Sequence, residues 1–405
     1  MKNFNDFIDL MEVTELDMLG RKYTWCNAAE EEKWSKIDRF LLSPEWLLMF
    51  KFKVWGLPRV VSDHCPMILM EDTRDWGPRP FRFINAWVLH TQFLSVVKKA
   101  WEEAVVSGWT GYRIFAKLKA VKVSLKQWNL EVFGDINHKL KLFEEELHEL
   151  DLVVEVRDLD DGEVGRRREL RGEVLKWSKR KEWLWLQKSR LSWALKGDKN
   201  TKFFHSIASC RCNRNLLNSL TVNGVVIENL AKIKEGVFRH FSYLFVESWK
   251  VRPKLGGVFK TIRSNGTEVE LEYTFSEGEI WAPVKECDGN KAPGPNGFNL
   301  SCFQKCWKVF KEEMVYFFNE FHCTGRLAKC LTCSFVTLVP KKDCPAGLTD
   351  FRPISLIGTV YKILSKVLAN RLKRVISMVV SKVHSAFVQG RNIFDGVLIA
   401  NEILD

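Results

Sequence analysis

Apolar and polar positions are most legible toward the end of the chain. The run Phe335-Val336-Thr337-Leu338-Val339-Pro340-Lys341-Lys342-Asp343 and the run Asp350-Phe351-Arg352-Pro353-Ile354-Ser355-Leu356 are rich in β-branched residues and flank a polar segment with Pro345 and Gly347. That pattern predicts two strands joined by a turn. Downstream, Val360, Ile363, Leu364, Val367, Leu368, Leu372, Val375, Ile376 and Val379 recur at helical spacing, with Lys362, Lys366 and Lys373 off the stripe, which predicts an amphipathic helix. After Ser385 to Arg391 a weaker helical pattern runs to the last residues.

Nearer the start, Lys22 to Cys26, Lys36 to Leu42 and Met67 to Met70 read as strands, and Ser43-Pro44-Glu45 is a helix start with a capping serine, a first-turn proline and an acid at the positive end of the dipole. Asp75-Trp76-Gly77-Pro78-Arg79-Pro80 marks a boundary, since two prolines and a glycine resist either regular element. Leu140, Phe143, Leu147, Leu150 and Val154 then form a heptad-like seam, with Glu144, Glu145 and Glu146 off it. A turn at Asp160-Asp161-Gly162 and Gly165 closes this into a helical hairpin. Asn223-Gly224 predicts a tight hairpin between short strands from Thr221 to Ile227. Arg252 to Glu270 reads as a loose joint. Ser276 with Glu279 gives a capping box for a helix that Pro283 interrupts.

These elements divide the chain into residues 1–72, 73–270 and 271–405. The expected fold class is a set of α/β and α+β pieces around a long, mostly helical connector. At 405 residues and 46% hydrophobic content there is room for two or three domains with real cores. A net charge of +12 favours a polyanionic partner, although the same excess serves solubility. No run of eighteen apolar residues and no signal-like start is present, so no membrane partner is expected and the chain reads as intracellular, nuclear or cytoplasmic, and not secreted. Eleven cysteines, an odd number without framework spacing, fit a reduced compartment. His322, Cys323, Cys330 and Cys333 are the group to test for zinc, against incidental or core cysteines.

Three clusters carry candidate chemistry. The predicted hairpin near the end brings Lys341, Lys342 and Arg352 together, and an ammonium beside a guanidinium fork suits polyphosphate; the alternative is a solvated basic loop. Asp63-His64 lies at a strand-loop-strand junction where an imidazole held by a second carboxylate can bind metal or phosphate; the alternative is incidental loop polarity. The return helix carries Arg166, Arg167, Arg168, Lys179, Arg180, Lys181, Lys188 and Arg190 interleaved with Trp177, Trp183, Trp185 and, further on, Trp193. Cations with aromatics track nucleic-acid backbone and stack on bases, or else the tryptophans pack the helix while the cations pair with the preceding acidic one.

Six blocks in order resemble the fingers region of a reverse transcriptase from a plant non-LTR (LINE-type) retrotransposon. They are Lys291-Ala292-Pro293-Gly294-Pro295-Asn296-Gly297-Phe298, Phe303 to Trp307, Leu338 to Lys342, Asp350 to Leu356, Tyr361-Lys362-Ile363 with Leu368-Ala369-Asn370-Arg371-Leu372, and Gln389-Gly390-Arg391. Gln187 to Arg190 through Gly197 to His205 resembles the connector of such proteins. Ser35-Lys36-Ile37-Asp38-Arg39-Phe40-Leu41-Leu42-Ser43 with Ser62-Asp63-His64-Cys65-Pro66 resembles the C-terminal end of an apurinic-type endonuclease of the exonuclease/endonuclease/phosphatase sandwich fold.

Together these resemblances imply an endonuclease remnant over 1–72, a basic connector over 73–270 and the start of reverse-transcriptase fingers over 271–405. They imply that Asp38 orients His64, that His64 contacts the scissile phosphate, that Asp63 assists a metal, and that Lys341, Lys342 and Arg352 face an incoming deoxynucleoside triphosphate. The parent enzyme's partners are an RNA template and a DNA target, and its cofactor is Mg2+. In the family, the metal-binding glutamate of the endonuclease lies upstream of these blocks, and the polymerase aspartates lie downstream. The expectation is therefore a fragment that is catalytically incomplete and holds no stable Mg2+ of its own. The alternatives are a catalytically silent RNA- or DNA-binding protein and a transposon relic that folds poorly; oligomeric state is left open.

Overall fold

A computed structural model describes residues 2–11, 13–16, 18–27, 30–59, 61–189, 217, 219–222, 225–254, 256, 271–342, 345, 347–381, 384 and 387–404. The N-terminal portion is built of short pieces: helix α1 (Lys2–Leu10), strands β1 (Thr14–Glu15), β2 (Met18–Leu19), β3 (Trp25–Cys26), β4 (Trp34–Ser35) and β5 (Leu41–Leu42), helix α2 (Pro44–Met49), then β6 (Phe52–Gly56) and β7 (Met67–Glu71). β6 is the hub, parallel to β2 on one side and antiparallel to β7 on the other. Its Val54 meets Leu16, Met18, Leu42 and Leu47 in a small core. Ser43 caps α2 as its side chain predicts, accepting from Trp46 N–H at 3.5 Å. The expected strand over Lys36 to Leu42 shrinks to Leu41–Leu42. Ile37 and Asp38 give their N–H groups to the Thr24 hydroxyl, both at 3.0 Å, rather than to a neighbouring strand.

No regular structure forms from Asp72 to Ile84, as the prolines dictate. A 3-10 turn (Asn85–Leu89) leads into α3 (Phe93–Glu103) and α4 (Thr110–Trp128), and a π-helical turn (Asn129–Phe133) ends at Gly134 with φ +70°. The long hairpin follows as α5 (Ile136–Val156) and α6 (Asp161–Ser189). Gly162 and Gly165 lie inside α6 rather than in the turn, because Asp160 begins the helix: its carboxylate accepts from Glu163 N–H at 2.7 Å, and Glu163 accepts from Asp160 N–H at 3.1 Å.

Arg157 closes the same turn, donating to both Glu163 carboxylate oxygens at 2.6 and 2.8 Å. That hydrogen bond, with the one from Asp160 N–H, lowers the Glu163 carboxyl to about 2. A depressed carboxyl contributes above its unfolded value and is lost as pH falls toward its folded one. Amide protection across residues 157–163 is therefore expected to hold from neutrality to about pH 4.5 and to fall between there and about pH 2. Hydrogen exchange followed by NMR checks it; loss beginning near neutrality would mean another group closes the turn.

Strands β8 (Leu220–Val222) and β9 (Val225–Ile227) pair antiparallel with Val222 opposite Val225, the register of a two-residue connection, and α7 (Leu230–Phe245) follows. Asn223 and Gly224 themselves lie outside the described residues, as does most of the joint from Arg252 to Glu270. Next come α8 (Glu277–Glu286), α9 (Leu300–Lys305), α10 (Trp307–Thr324), the short α11 (Lys329–Thr332), the hairpin β10 (Ser334–Pro340) and β11 (Phe351–Ile357), α12 (Thr359–Val379) and α13 (Ile393–Leu404). Pro283 does not interrupt α8; it sits buried inside it.

One large core spans residue 270. Trp101, Ile114, Leu118 and Trp128 share it with Phe303, Phe310, Phe318, Ile363 and Val367. Trp101 packs on Phe310 with ring centres 4.5 Å apart, and Glu313 of α10, itself buried, takes Arg113 at 2.6 Å and Lys117 at 2.9 Å from α4. A buried amide network ties the irregular strap to both sides: Asn85 donates to Asn290 at 2.6 Å and accepts from Asn299 at 2.8 Å, while Gln187 accepts from Asn85 N–H and donates to the Phe83 carbonyl.

Candidate functional site

The hairpin expected near the end forms as two antiparallel strands. Val339 stands opposite Arg352 and Pro340 opposite Phe351, and the Lys341 N–H donates to the Asp350 carbonyl at 2.7 Å. Lys341 and Arg352 are thus diagonal neighbours on one face of the ladder. Arg352 is exposed. The Lys341 ammonium donates to the Thr349 carbonyl at 2.7 Å, and Lys342 pairs with Asp350 at 2.9 Å while staying largely exposed. Two partly satisfied ammonium groups and an exposed guanidinium can exchange these local partners for a phosphate.

The hairpin is aimed by what its far end touches. Between β11 and α12 the chain passes Gly294, where a side chain has no room: a Cβ there would lie 2.4 Å from the Ile357 carbonyl group. Gly297 turns with φ +79°, its carbonyl accepting from Phe83 N–H at 2.8 Å. Lys362, predicted off the apolar stripe, is half-buried and donates to the Ala292 carbonyl at 2.9 Å; burial lowers its pKa. The Lys291-to-Gly297 segment is therefore a bracket that joins strap, hairpin and α12.

Arg371 is the residue that periodicity misses. The stripe includes Leu372, but Leu372 is exposed and Arg371 is buried. Its guanidinium makes a bidentate pair with Glu279 at 2.5 and 2.8 Å, donates to the carbonyls of Leu271, Tyr273 and Thr274, and lies 3.9 Å from the Phe275 ring centre. Glu279 N–H does bond the Ser276 hydroxyl at 3.2 Å, but its carboxylate goes to Arg371, so only half of the expected capping box forms. An arginine within an apolar stripe, four residues after Val367 and four before Val375, is the signal that marks it. Downstream, Arg391 donates to the carbonyls of Val380, Ser381 and His384, closing the end of α12.

In the N-terminal portion the structure joins residues 26 positions apart. His64 Nδ1 lies 2.8 Å from Asp38 Oδ2, which holds the ring in the tautomer with Nδ1–H and leaves Nε2 open. Thr24 fixes Asp38 through the backbone, and an antiparallel bridge between Trp25 and His64 fixes the imidazole. Asp63 is tied separately: Trp25 Nε1 donates to it at 2.8 Å and Ser62 Oγ at 3.3 Å. The Trp25 hydrogen bond is the main cause that lowers the Asp63 carboxyl. Its carboxylate is thus directed to an indole rather than toward the Asp38–His64 pair.

The basic face of α6 is largely occupied. Arg166 forms a two-pronged pair with Glu146 at 2.7 and 2.9 Å, and Arg167 pairs with Asp151. Arg180 is buried against Trp177, and Lys188 lies over Trp185, 4.3 Å from the ring centre. Arg168 and Lys179 are exposed and Lys181 is half-buried; Arg190 and Trp193 lie outside the described residues. Among the described residues no group of three or more histidine, cysteine or acidic side chains is placed to hold a metal ion. His322 instead bonds the Glu272 carbonyl at 2.7 Å through Nε2. No described helix is long and apolar enough to cross a membrane.

No family model matches the chain. Over 392 residues, 91% of the chain, it is 23% identical to the transposon TX1 uncharacterized 149 kDa protein of Xenopus laevis. Those residues make up 29% of that relative, so the chain spans less than a third of its length. The chain is thus similar, along nearly its whole length, to a transposon protein.

Proposed function

We propose that the chain is a portion of a LINE-type retrotransposon protein, running from the end of an endonuclease domain through a helical connector into the fingers of an RNA-directed DNA polymerase. The observation that carries this reading is a single similarity to a transposon protein over 91% of the chain, so the endonuclease-like and polymerase-like motif blocks need no separate origins. RNA template, DNA target and deoxynucleoside triphosphate are the partners of that whole enzyme. Within this reading Lys341, Lys342 and Arg352 contact the triphosphate, and Asp38 holds His64 for a phosphodiester. Asp38 gives one oxygen to His64 and Asp63 one to Trp25, and with no third acidic, histidine or cysteine side chain grouped with them among the described residues, the set does not fit magnesium.

Ultraviolet cross-linking of radiolabelled dTTP to the purified protein tests the nucleotide-facing role. Label is expected on a peptide between residues 334 and 357, competed by any deoxynucleoside triphosphate and reduced at least about tenfold by Lys341→Gln with Arg352→Gln. Labelling that persists in this double variant, or that maps to another region, rules the assignment out.

A further inference from the structure

A cleft of about 1010 Å³ opens between the 3-10 turn and the two long helices α5 and α6. Its size is that of a pocket for a small molecule or a few peptide side chains. Arg180 lines it, yet is only 8% exposed and makes no hydrogen bond or ion pair among the described residues. Its guanidinium lies 4.2 Å from the Trp177 ring centre and 5.7 Å from that of Phe133. Its unspent donors open into the cleft, where an acceptor can reach them.

One more cation and a neutral imidazole stand nearby. Lys139 lies 5.0 Å from the Trp177 ring centre and spends one donor on the Val132 carbonyl. His90 packs edge-on against Trp128 with ring centres 5.1 Å apart, and its Nδ1 accepts from Gln92 N–H. Burial first, then Arg180 and Lys139, lower the His90 pKa, and burial with Arg180 lowers that of Lys139. The one acid that acts on Arg180, Glu173 of α6, is bonded by the Lys176 ammonium at 2.8 Å, so the guanidinium fork itself stays open to an anion.

The rim carries the opposite sign. Glu145, Glu146 and Glu149 line it from α5. Glu146 is spent on Arg166 and Glu145 faces Lys141 at 3.3 Å, while Glu149 is exposed and has no ion pair among the described residues. With Glu173 of α6, four carboxylates line the cleft and repel negative charge beyond the one the Arg180 fork can hold. Leu89, Leu142 and Phe143 supply apolar walls.

We propose that this cleft binds a single carboxylate carried on an apolar or aromatic body, with Arg180 as its bidentate partner, and that it excludes polyphosphates and nucleic acid. The planar guanidinium fork matches a carboxylate, and Leu142 and Phe143 receive the body. The carboxylate comes either from a free organic acid or from an acidic residue beside an aromatic one in a peptide. The site is separate from Lys341, Lys342 and Arg352 and does not rest on the polymerase reading.

Ligand-observed NMR on the full chain tests it with 2-naphthylacetate against neutral 2-naphthylacetamide, and with acetyl-Trp-Glu-amide against acetyl-Trp-Gln-amide. The acid of at least one pair is expected to bind at least about tenfold more tightly than its amide, and whichever pair shows the preference identifies the source. Arg180→Lys, which keeps the charge and loses the fork, is expected to remove that preference. Should that variant fold poorly, Glu149→Gln, at an exposed position, is expected to strengthen acid binding about two- to threefold without changing the amide. Equal affinities within both pairs, no binding at millimolar concentration, or displacement of the acid by a single-stranded oligodeoxythymidylate overturns the proposal.

Discussion

Replacing Arg371 with alanine is expected to destabilise the protein by about 3–5 kcal/mol, one of the two largest single-site losses the structure predicts. The substitution removes five hydrogen bonds and the stacking on Phe275. It also strands the Glu279 carboxylate, whose side chain is 21% exposed, and three backbone carbonyls. An uncompensated buried group costs more than the intact pair contributes, so the arithmetic makes a second prediction. Arg371→Met combined with Glu279→Leu is expected to cost less than Arg371→Ala alone, because no charge is left without a partner. Urea unfolding monitored by circular dichroism measures both; equal losses for the single and double variants would mean that packing, not the charge pair, dominates the site.

Gly294→Ala is expected to cost about 4 kcal/mol or more. A methyl there lies 2.4 Å from the Ile357 carbonyl carbon and oxygen and 2.6 Å from the Gly358 nitrogen. These are backbone atoms, so no rotamer change relieves the clash, and the link between β11 and α12 must move. Gly172→Ala is the control, since nothing lies within 4 Å of a Cβ at that helical position, and it is expected to raise stability by about 0.5–1 kcal/mol. Thermal melts of the two variants should move in opposite directions. A Gly294→Ala protein melting like the parent would show that the bracket yields.

Local chemistry was legible where a side chain acts on its own backbone. Ser43, Ser276 and the β-branched runs between Phe335 and Leu356 placed their elements correctly, because capping and strand propensity depend on near neighbours. The α12 stripe was legible for the same reason, with an error at Leu372. Periodicity assigns faces by residue type, and no type rule anticipates an arginine whose partners sit about a hundred residues upstream. Glu279 was misread for the complementary reason: its capping role lost to a guanidinium that sequence spacing does not reveal. The pairing of Asp38 with His64 followed from motif wording rather than from pattern, and the tether of Asp63 to Trp25 had no signal in either. Charge patterning along α6 left two readings open, and Arg166 and Arg167 follow the one in which they answer acids on α5.

The hydrogen bond from the Asn299 side-chain amide to that of Asn85 spans 214 residues, and with the Phe83–Gly297 pairing it sets a clock on synthesis. At about 5–20 residues per second, roughly 10–40 s separate the emergence of α3 and α4 from that of the helices that cover them. During that interval Trp101, Ile114 and Leu118 have no partner from α9 or α10. A nascent chain in this state leaves the apolar faces of α3 and α4 uncovered. Slowing translation between residues 130 and 300 would lengthen the exposure, and aggregation yield would follow ribosome speed more closely than the equilibrium stability of the finished fold.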